Sequence, residues 1–549
     1  MPEVAQAGSE ATPATLPELM ESAVERGRGG WHFHSGREVV SLAVADVQAA
    51  ALDLASGLAG AGIGKGSRVG LLGLNSPEWL CWAWATWNCG AVLVPLPAPL
   101  FPGASFGSQI ASLVDASGCS MLVGEARYLD RLDHLDIGTR DWALPDSRSG
   151  TTAGRGAASE PSDLAVILCT SGSTSAPKAV RMSHARAIEW ATHTALGSTD
   201  GTLPTKVTWF PYYHIAGLGT VFEMVQPVDH HVLSMRRFLA DPSSWVRLVA
   251  EMGAPYAVSP SSIWSKVLDG LASNPDGIDL SHIERLVFNA EMAEPRVLAR
   301  VHEVCRPLGL RPGTIAVHYA SSEGGLISRT PRGTDPRVET VDLARLAEEG
   351  LAVPATASTP STKEIVSCGV PFPSVEVCVG HPSSPLPERR EGEVWVRGPG
   401  VTDGYSNRPS DGSLVDGWLR VGDLGYLAGG ELWVTGRADE VMVIRGEKYH
   451  PEDVEWAAER AMGLPSGKCA AFHPRTGGAD SMVVVVEIDD PNELIGATVG
   501  AAVADAVGVT SPRVLTVPTG TIPRTPNGKL QRSLLRRMYE DGEFDRGAR

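Results

Sequence analysis

This 549-residue sequence is poor in three things: surplus basic charge, cysteines spaced as pairs, and long unbroken apolar runs. With 47 Lys+Arg against 64 Asp+Glu the formal net charge is −17. That balance weighs against nucleic acid or an anionic membrane as the main partner, because both attract an excess of cations. An anionic substrate therefore has to be held by a local site. Cys81, Cys89, Cys119, Cys169, Cys305, Cys368, Cys378 and Cys469 are scattered without a C-x-x-C, which indicates neither a zinc ribbon nor a disulfide framework. A reducing cytoplasm is the expected location. Residues 1–15 lack the basic start and apolar stretch of a signal peptide and read as a disordered lead. The one stretch long enough to suggest a membrane span, residues 79–101, is broken by Asn88, Gly90, Pro95 and Pro97. It reads instead as a buried helix opened by Ser76-Pro77-Glu78, followed by a buried strand.

What is present is an ordinary globular composition, with 43% hydrophobic and 20% charged residues. Alternating helical and buried-strand patterns up to about residue 123 predict parallel βα units, with an Ala/Leu helix starting at Val40. The run Gly62-Ile63-Gly64-Lys65-Gly66 is no phosphate loop, since Gly66 stands where Ser or Thr would follow the lysine and a helix leads into a strand there. Residues 145–163 are a Ser/Gly/Thr/Ala-rich linker. After it the short apolar strand LAVIL delivers the chain into Cys169-Thr170-Ser171-Gly172-Ser173-Thr174-Ser175-Ala176-Pro177-Lys178. Hydroxyls, backbone N–H groups and one ammonium directly after a buried strand suit a polyphosphate, although a Ser-rich surface turn has the same composition. His32, His34, His230 and His231 carry no Cys or acidic partner at ligand spacing, which weighs against a metal site. The tryptophans at 79, 82, 84 and 87 are expected to pack inside.

The segment TSGSTSAPKAV resembles the phosphate loop of the acyl-adenylate-forming superfamily, and further blocks follow in that family's order. They are TWFPYYHIAGLG (208–219), LVFNAEM (286–292), HYASSEGG (318–325), GEVWVRGPGVTDGY (392–405), GWLRVGDLGYL (417–427), VTGRADEVMVIRGEKYHPEDVE (434–455) and IPRTPNGKLQR (522–532). The resemblance implies an α/β protein with a large N-terminal domain of adenylate-forming type over residues 16–436, a hinge at 437–439 containing Asp439, and a small mobile α+β lid at 440–549. It implies ATP and Mg²⁺ as cofactors and activation of an apolar carboxylic acid to acyl-AMP with release of pyrophosphate. Lys178 with Thr170, Ser171, Gly172, Ser173 and Thr174 would cradle phosphates. Glu323, beside Ser322 and Ser321, would hold the metal. Tyr319, with His318 and Ala320, would stack on adenine, and Asn289, Ala290 and Glu291 would line the base. Asp423 and Arg437 would take the ribose, and Lys529 would swing in on the reacting phosphate. His214 reads equally as a gate between ATP and acid or as a core histidine satisfied by the backbone. Tyr212, Tyr213, Ile215 and Ser259 are candidates for the acyl pocket.

Two features are similar to the fatty acyl-AMP ligase branch. The stretch between Glu323 and the strand VSCGVPFPSVEV is about 45 residues long, with an insertion at about 330–365, and holds an amphipathic piece at 341–353. IRGEKYHPEDVE is similar to that branch's counterpart. That branch implies transfer to the phosphopantetheine of an acyl carrier protein, with an acyl-CoA synthetase using free CoA as the alternative. Ser175, Ala179 and Ala320 replace family glycines, and a Cβ there is costly wherever φ is positive. A member that only thioesterifies a preformed adenylate, and a silent nucleotide-binding scaffold, are the other readings.

Overall fold

The apolar runs of the first third become the strands of one mainly parallel sheet, each buried on both faces. A computed structural model of the chain describes residues 13–103, 105–144, 158–170, 177–194, 205–408, 412–444, 447–475, 481–509, 512–525 and 529–544. It is a mixed α/β protein with a large N-terminal and a smaller C-terminal domain. By internal contacts the chain forms two compact units. The first comprises residues 1–170, 178–236 and 402–409, and the second 171–177, 237–401 and 410–549.

In the first unit a six-stranded sheet runs in the order Gly138–Asp141, Met121–Gly124, Arg68–Leu72, Val92–Leu96, Leu164–Thr170, Lys178–Ser183. All neighbours are parallel except the last pair. The helix Pro77–Asn88 begins where Ser76 accepts the Trp79 N–H, and Pro77 occupies the first turn, where its missing N–H costs nothing. Trp79, Trp82, Trp84 and Trp87 on it are all 0–1% exposed. Trp82 and Trp87 donate their indole N–H groups to the Trp142 and Ala165 carbonyls. At ~25 cal/mol per Å², burying one such ring contributes on the order of 4–6 kcal/mol as an upper bound. A second, four-stranded sheet pairs Glu38–Ala43, Gly30–Ser35, Asp229–Leu233 and Thr205–Thr208. The expected helix from Val40 therefore starts later, at Val44, because residues 40–43 pair against Gly30–Ser35. Val, Ser and Leu there suit either element, and the cross-strand partner decides.

The second unit opens with three parallel strands, Tyr256–Ser259, Arg285–Phe288 and Ile315–Ser321, continued antiparallel by Gly325–Arg329 and Val370–Pro371. A second sheet centres on Trp418–Ala428, flanked by Gly392–Arg397, Leu414–Val415 and Glu431–Arg437. The long segment after Glu323 is ordered: Val338–Asp342 pairs with Thr362–Val366, and the helix Leu343–Glu349 is capped by Asp342. This segment packs on the C-terminal residues of the same unit. Lys363, with a side chain 3% exposed, sets its ammonium 2.8 Å from Asp453 and donates to the Thr435 carbonyl. Leu343 joins the apolar cluster of Met442, Tyr449 and Val454, and Ser361 donates to the Ala506 carbonyl. The C-terminal domain has its own three-stranded sheet, Cys469–Phe472, Val483–Glu487 and Arg513–Val517, with helices Pro451–Met462 and Ile495–Val507 against it. Among the described residues no helix is long and apolar enough to cross a membrane.

Helix Pro451–Met462 buries carboxylates. Glu459 accepts the Cys469 N–H at 3.0 Å and an Arg296 N–H at 3.1 Å. Burial pushes its carboxyl up to about 8; nearby Glu294 and Glu455 add to the rise, and the Cys469 and Arg296 donors oppose it. A carboxyl with a folded pKa above its ordinary 4.5 contributes stability fully at lower pH and loses it as pH rises through 8. Glu459→Gln cannot ionise. In chemical denaturation the stability of Glu459→Gln relative to wild type is therefore expected to increase from pH 5 to about pH 8 and to level off above it. A difference independent of pH would show that Glu459 is ionised throughout.

Candidate active site

Each unit carries part of the predicted constellation. In the first, Thr170 pairs with Lys178 across the antiparallel end of the sheet. The connecting Ser171, Gly172, Ser173, Thr174 and Ser175 lie outside the described residues. The Thr170 hydroxyl is buried with no partner among the described residues. Residues 402–407 close this edge. Arg181 N–H donates to Gly404, Ser406 N–H to Ala179, and Ala179 N–H to the Asn407 side chain. The Lys178 ammonium stands 5.3 Å over the Tyr405 ring, a cation–π contact that leaves its three N–H donors for anions. The role of Tyr405 was not foreseen, although GVTDGY carried it; the strand pairing that brings it to Lys178 spans more than 200 residues.

His214 caps the helix Ile215–Phe222. Its Nδ1 accepts the Ala216 N–H at 3.2 Å, which puts the neutral ring's proton on Nε2. Tyr212 lies in the core of this unit, fully buried against Trp79 at 5.0 Å between ring centroids, and Ile215 belongs to the same cluster. Tyr213 is half-buried, and its phenol is pushed well up by burial.

In the second unit the parallel strands bring Ser259, Asn289 and Tyr319 to their carboxyl ends, the edge where open α/β sheets bind ligands. Asn289 N–H donates to the Ser259 carbonyl. Glu291 accepts the Ser262 N–H at 2.5 Å, at the start of helix Ser261–Ser273, where the helix dipole favours an anion. Burial raises its carboxyl, against the opposing effects of the Ser262 donor and of the Lys529 charge. The Ser259 hydroxyl and the Asn289 side-chain oxygen are buried here without partners among the described residues. Two unsatisfied polar atoms on one edge fit a polar ligand.

Asp423 is the anchor of the site. It is 8% exposed, accepts the Tyr319 hydroxyl on one oxygen, and takes Arg437 at 2.9 Å on the other. Burial disfavours the Arg437 charge, but Asp423, Asp439 and Glu440 outweigh that and raise its pKa. Burial and Asp423 likewise push the Tyr319 phenol well up. His318 is driven to about 3 by burial and then by Arg285 and Arg329, so its imidazole is neutral. Ser321 accepts the Gly324 N–H, shaping the turn in which Ser322 and Glu323 sit half-buried. Among the described residues no three His, Cys, Asp or Glu side chains form a metal cluster. One carboxylate suits Mg²⁺ only where phosphate oxygens and waters complete its shell, and Glu323 fits that pattern. Lys529 is exposed and held by its backbone: its N–H donates to the Thr525 hydroxyl and its carbonyl accepts the Thr525 N–H.

The glycine replacements at 179 and 320 cost nothing in backbone strain, since both residues lie in strands with negative φ. The strained alanine is Ala290, at φ 65°.

The sequence profile of the AMP-binding enzyme family matches residues 21–406. The chain belongs to that family, and it is an AMP-forming ligase. Its relatives include a medium-chain-fatty-acid [acyl-carrier-protein] ligase, JamA, of Moorena producens, 28% identical over 74% of this chain and 71% of the relative. A 4-hydroxyphenylalkanoate adenylyltransferase of Mycobacterium marinum is 26% identical over 88% of this chain and 83% of its own. Among solved structures, a chain from a study of fatty acyl-adenylate ligases of E. coli and L. pneumophila superposes with a TM-score of 0.86 at 24% identity, covering 96% of this chain and 98% of that one.

Ala290 makes the backbone of this edge testable. Ala290→Gly relieves the left-handed strain and is expected to raise stability by up to about 1 kcal/mol in chemical denaturation, net of the greater freedom of the unfolded chain. A loss of stability would show that the methyl group is needed for packing.

Proposed function

We propose that the chain activates a fatty or otherwise apolar carboxylic acid with ATP, forming acyl-AMP and pyrophosphate, and passes the acyl group to a pantetheine thiol. The observation that carries this reading is Asp423, buried and ordered by Tyr319 and Arg437 beside the unsatisfied polar atoms of Ser259 and Asn289. An ionised carboxylate has about four lone-pair sites, so two remain for a ribose diol. The Tyr319 ring, fixed by its hydroxyl, is a platform for adenine, and the Asn289 oxygen accepts from the base. Lys178 and the loop before it hold the terminal phosphates. Mg²⁺, when bound at Glu323, supplies charge neutralisation on phosphate oxygens. The substrate carboxylate oxygen attacks the α-phosphorus, the bond to the bridging oxygen breaks, and pyrophosphate leaves with the electron pair. Lys529 meets the negative charge on the α-phosphate in that transition state, a contribution on the order of 10² to 10³ in rate. Rotation at the hinge containing Asp439 would then withdraw Lys529 for the second half-reaction.

The test is acid-dependent exchange of labelled pyrophosphate into ATP. Wild type is expected to exchange with medium- or long-chain fatty acids. Lys529→Ala should lose about 10² to 10³ in kcat while retaining AMP affinity. Near-normal exchange by Lys529→Ala would remove that lysine from the mechanism, and no exchange by wild type across a broad acid panel would leave the thioesterification-only reading.

For the acceptor we favour a carrier protein over free CoA. The support is the buried Lys363–Asp453 pair and the Leu343 contact, which tie the segment after Glu323 to the C-terminal domain and oppose its rotation. JamA, a relative by sequence, is itself named for a carrier protein. Lys363→Ala is expected to shift the ratio of CoA to carrier turnover about tenfold toward CoA, the effect of a 1.4 kcal/mol change in that equilibrium. Efficient CoA use by wild type would make the chain an acyl-CoA synthetase.

A further inference from the structure

Two ion pairs, joined by a backbone turn in which the Glu440 N–H donates to the Arg437 carbonyl, run from the proposed ribose carboxylate to the lysine segment. Asp423 pairs with Arg437 at 2.9 Å, and Arg437 lies three residues before Glu440. Glu440 takes the Nη1 of Arg532 at 2.6 Å. Arg532 opens the helix Arg532–Glu540, three residues after Lys529. Its other two nitrogens grip helix Pro451–Met462: Nε and Nη2 reach the two oxygens of Glu455 at 2.7 and 2.6 Å, and Nη2 also meets Glu452 at 3.0 Å. One planar cation therefore holds together the residue that follows the proposed hinge, the main helix of the C-terminal domain and the start of the helix just after Lys529. Glu455 is fixed in turn by the Ala471 N–H.

We propose that Arg532 is a positioning residue for adenylation: by bridging Glu440 to Glu455 it fixes where Lys529 stands relative to the hinge and the Asp423–Arg437 pair. Three observations separate this role from simple stabilisation of the domain. First, the Glu455 fork alone would satisfy the guanidinium's packing role, yet Nη1 is spent on Glu440, which directly follows the proposed hinge. Second, the two described flanks of Lys529 are each tied to the domain through an arginine: Arg524 ahead of it donates to the Gly467 carbonyl and pairs with Glu487 at 3.6 Å, and Arg532 behind it grips Glu455. Third, the fork geometry needs arginine, because a lysine ammonium is a point donor that cannot join Glu440 and both oxygens of Glu455 at once. A displacement of about 1 Å at a charge-stabilising group is enough to cost roughly 10²-fold in rate.

This inference rests on the reading of Lys529 as the adenylating cation, so Lys529→Ala serves as the reference. In the full-length protein, Arg532→Lys is expected to lower kcat for acid-dependent pyrophosphate exchange by about tenfold or more, with KM for ATP within about twofold of wild type. Consumption of synthetic acyl-AMP by a thiol acceptor, which does not use Lys529, is expected to stay within about twofold of wild type. Should Arg532→Lys fail to fold, Glu440→Gln, which keeps the Glu455 fork, is read in the same two assays with the same expectation. Equal losses in both half-reactions, a raised KM with kcat unchanged, or unaltered exchange would each overturn the proposal. If Lys529→Ala itself exchanges normally, the fault lies in the reading of the lysine; if Lys529→Ala is inactive while Arg532→Lys and Glu440→Gln exchange normally, it lies in the role given to Arg532.

Discussion

A single buried carboxylate sets the register of the sheet and the chemistry of the site together. Asp423 and Arg437 face each other across the antiparallel pair Trp418–Ala428 and Glu431–Arg437, so a shift of one residue in that pairing would turn each to the opposite face. The ion pair would then be lost and a charge left buried without a partner, which costs several kcal/mol. Tyr319 adds a third strand to the same anchor from the neighbouring sheet. Because the carboxylate is already desolvated and doubly bonded, its remaining lone pairs point in fixed directions. That is the preorganisation the sugar diol proposed above would need, and the same contacts that fold this part of the chain supply it.

Much of this was legible in the sequence, and the parts that were not share a cause. The apolar runs at 68–72, 92–96 and 164–168, the cap at Ser76 and the buried tryptophans follow from local pattern, and they form as read. Local reading erred where a distant partner decides the outcome. Residues 40–43 became a strand because Gly30–Ser35 offers an edge. The expected penalty at Ala179 and Ala320 was absent because both are extended, whereas Ala290 carries the strain that no neighbouring glycine pattern marked. Tyr405 beneath Lys178, and Asp453 beside Lys363, are meetings of residues far apart in sequence. The charge cluster at Arg532 was hidden for the same reason, since Glu440, Glu452 and Glu455 read locally as the acidic face of an exposed helix and its approach.

The two ends of the second unit solve charge burial differently. Around Asp423 one carboxylate is matched by one guanidinium and one phenol. Around Arg532 three carboxylates crowd a single guanidinium, and a short distance along the helix Glu459 shares Arg296 with Glu294. An excess of buried negative charge is tolerable only where donors are aimed at every oxygen or a proton is retained, and Glu459 takes the second course. The C-terminal domain thus carries more buried negative charge per cation than the surroundings of Asp423, a property suited to the mobile lid proposed above.

The ordered segment between Glu323 and Val366 also bears on how such chains can be recombined. Lys363 is buried against Asp453, which lies ninety residues further along, on the helix Pro451–Met462. A C-terminal half transplanted from a relative without a carboxylate at that place would strand the ammonium in a dry pocket, at a cost of about 3–5 kcal/mol. Exchange at a junction after Arg437 separates the two partners, whereas a junction before Val338 carries both across together. The segment and the helix that receives it are in effect one heritable module, although the chain places the hinge between them.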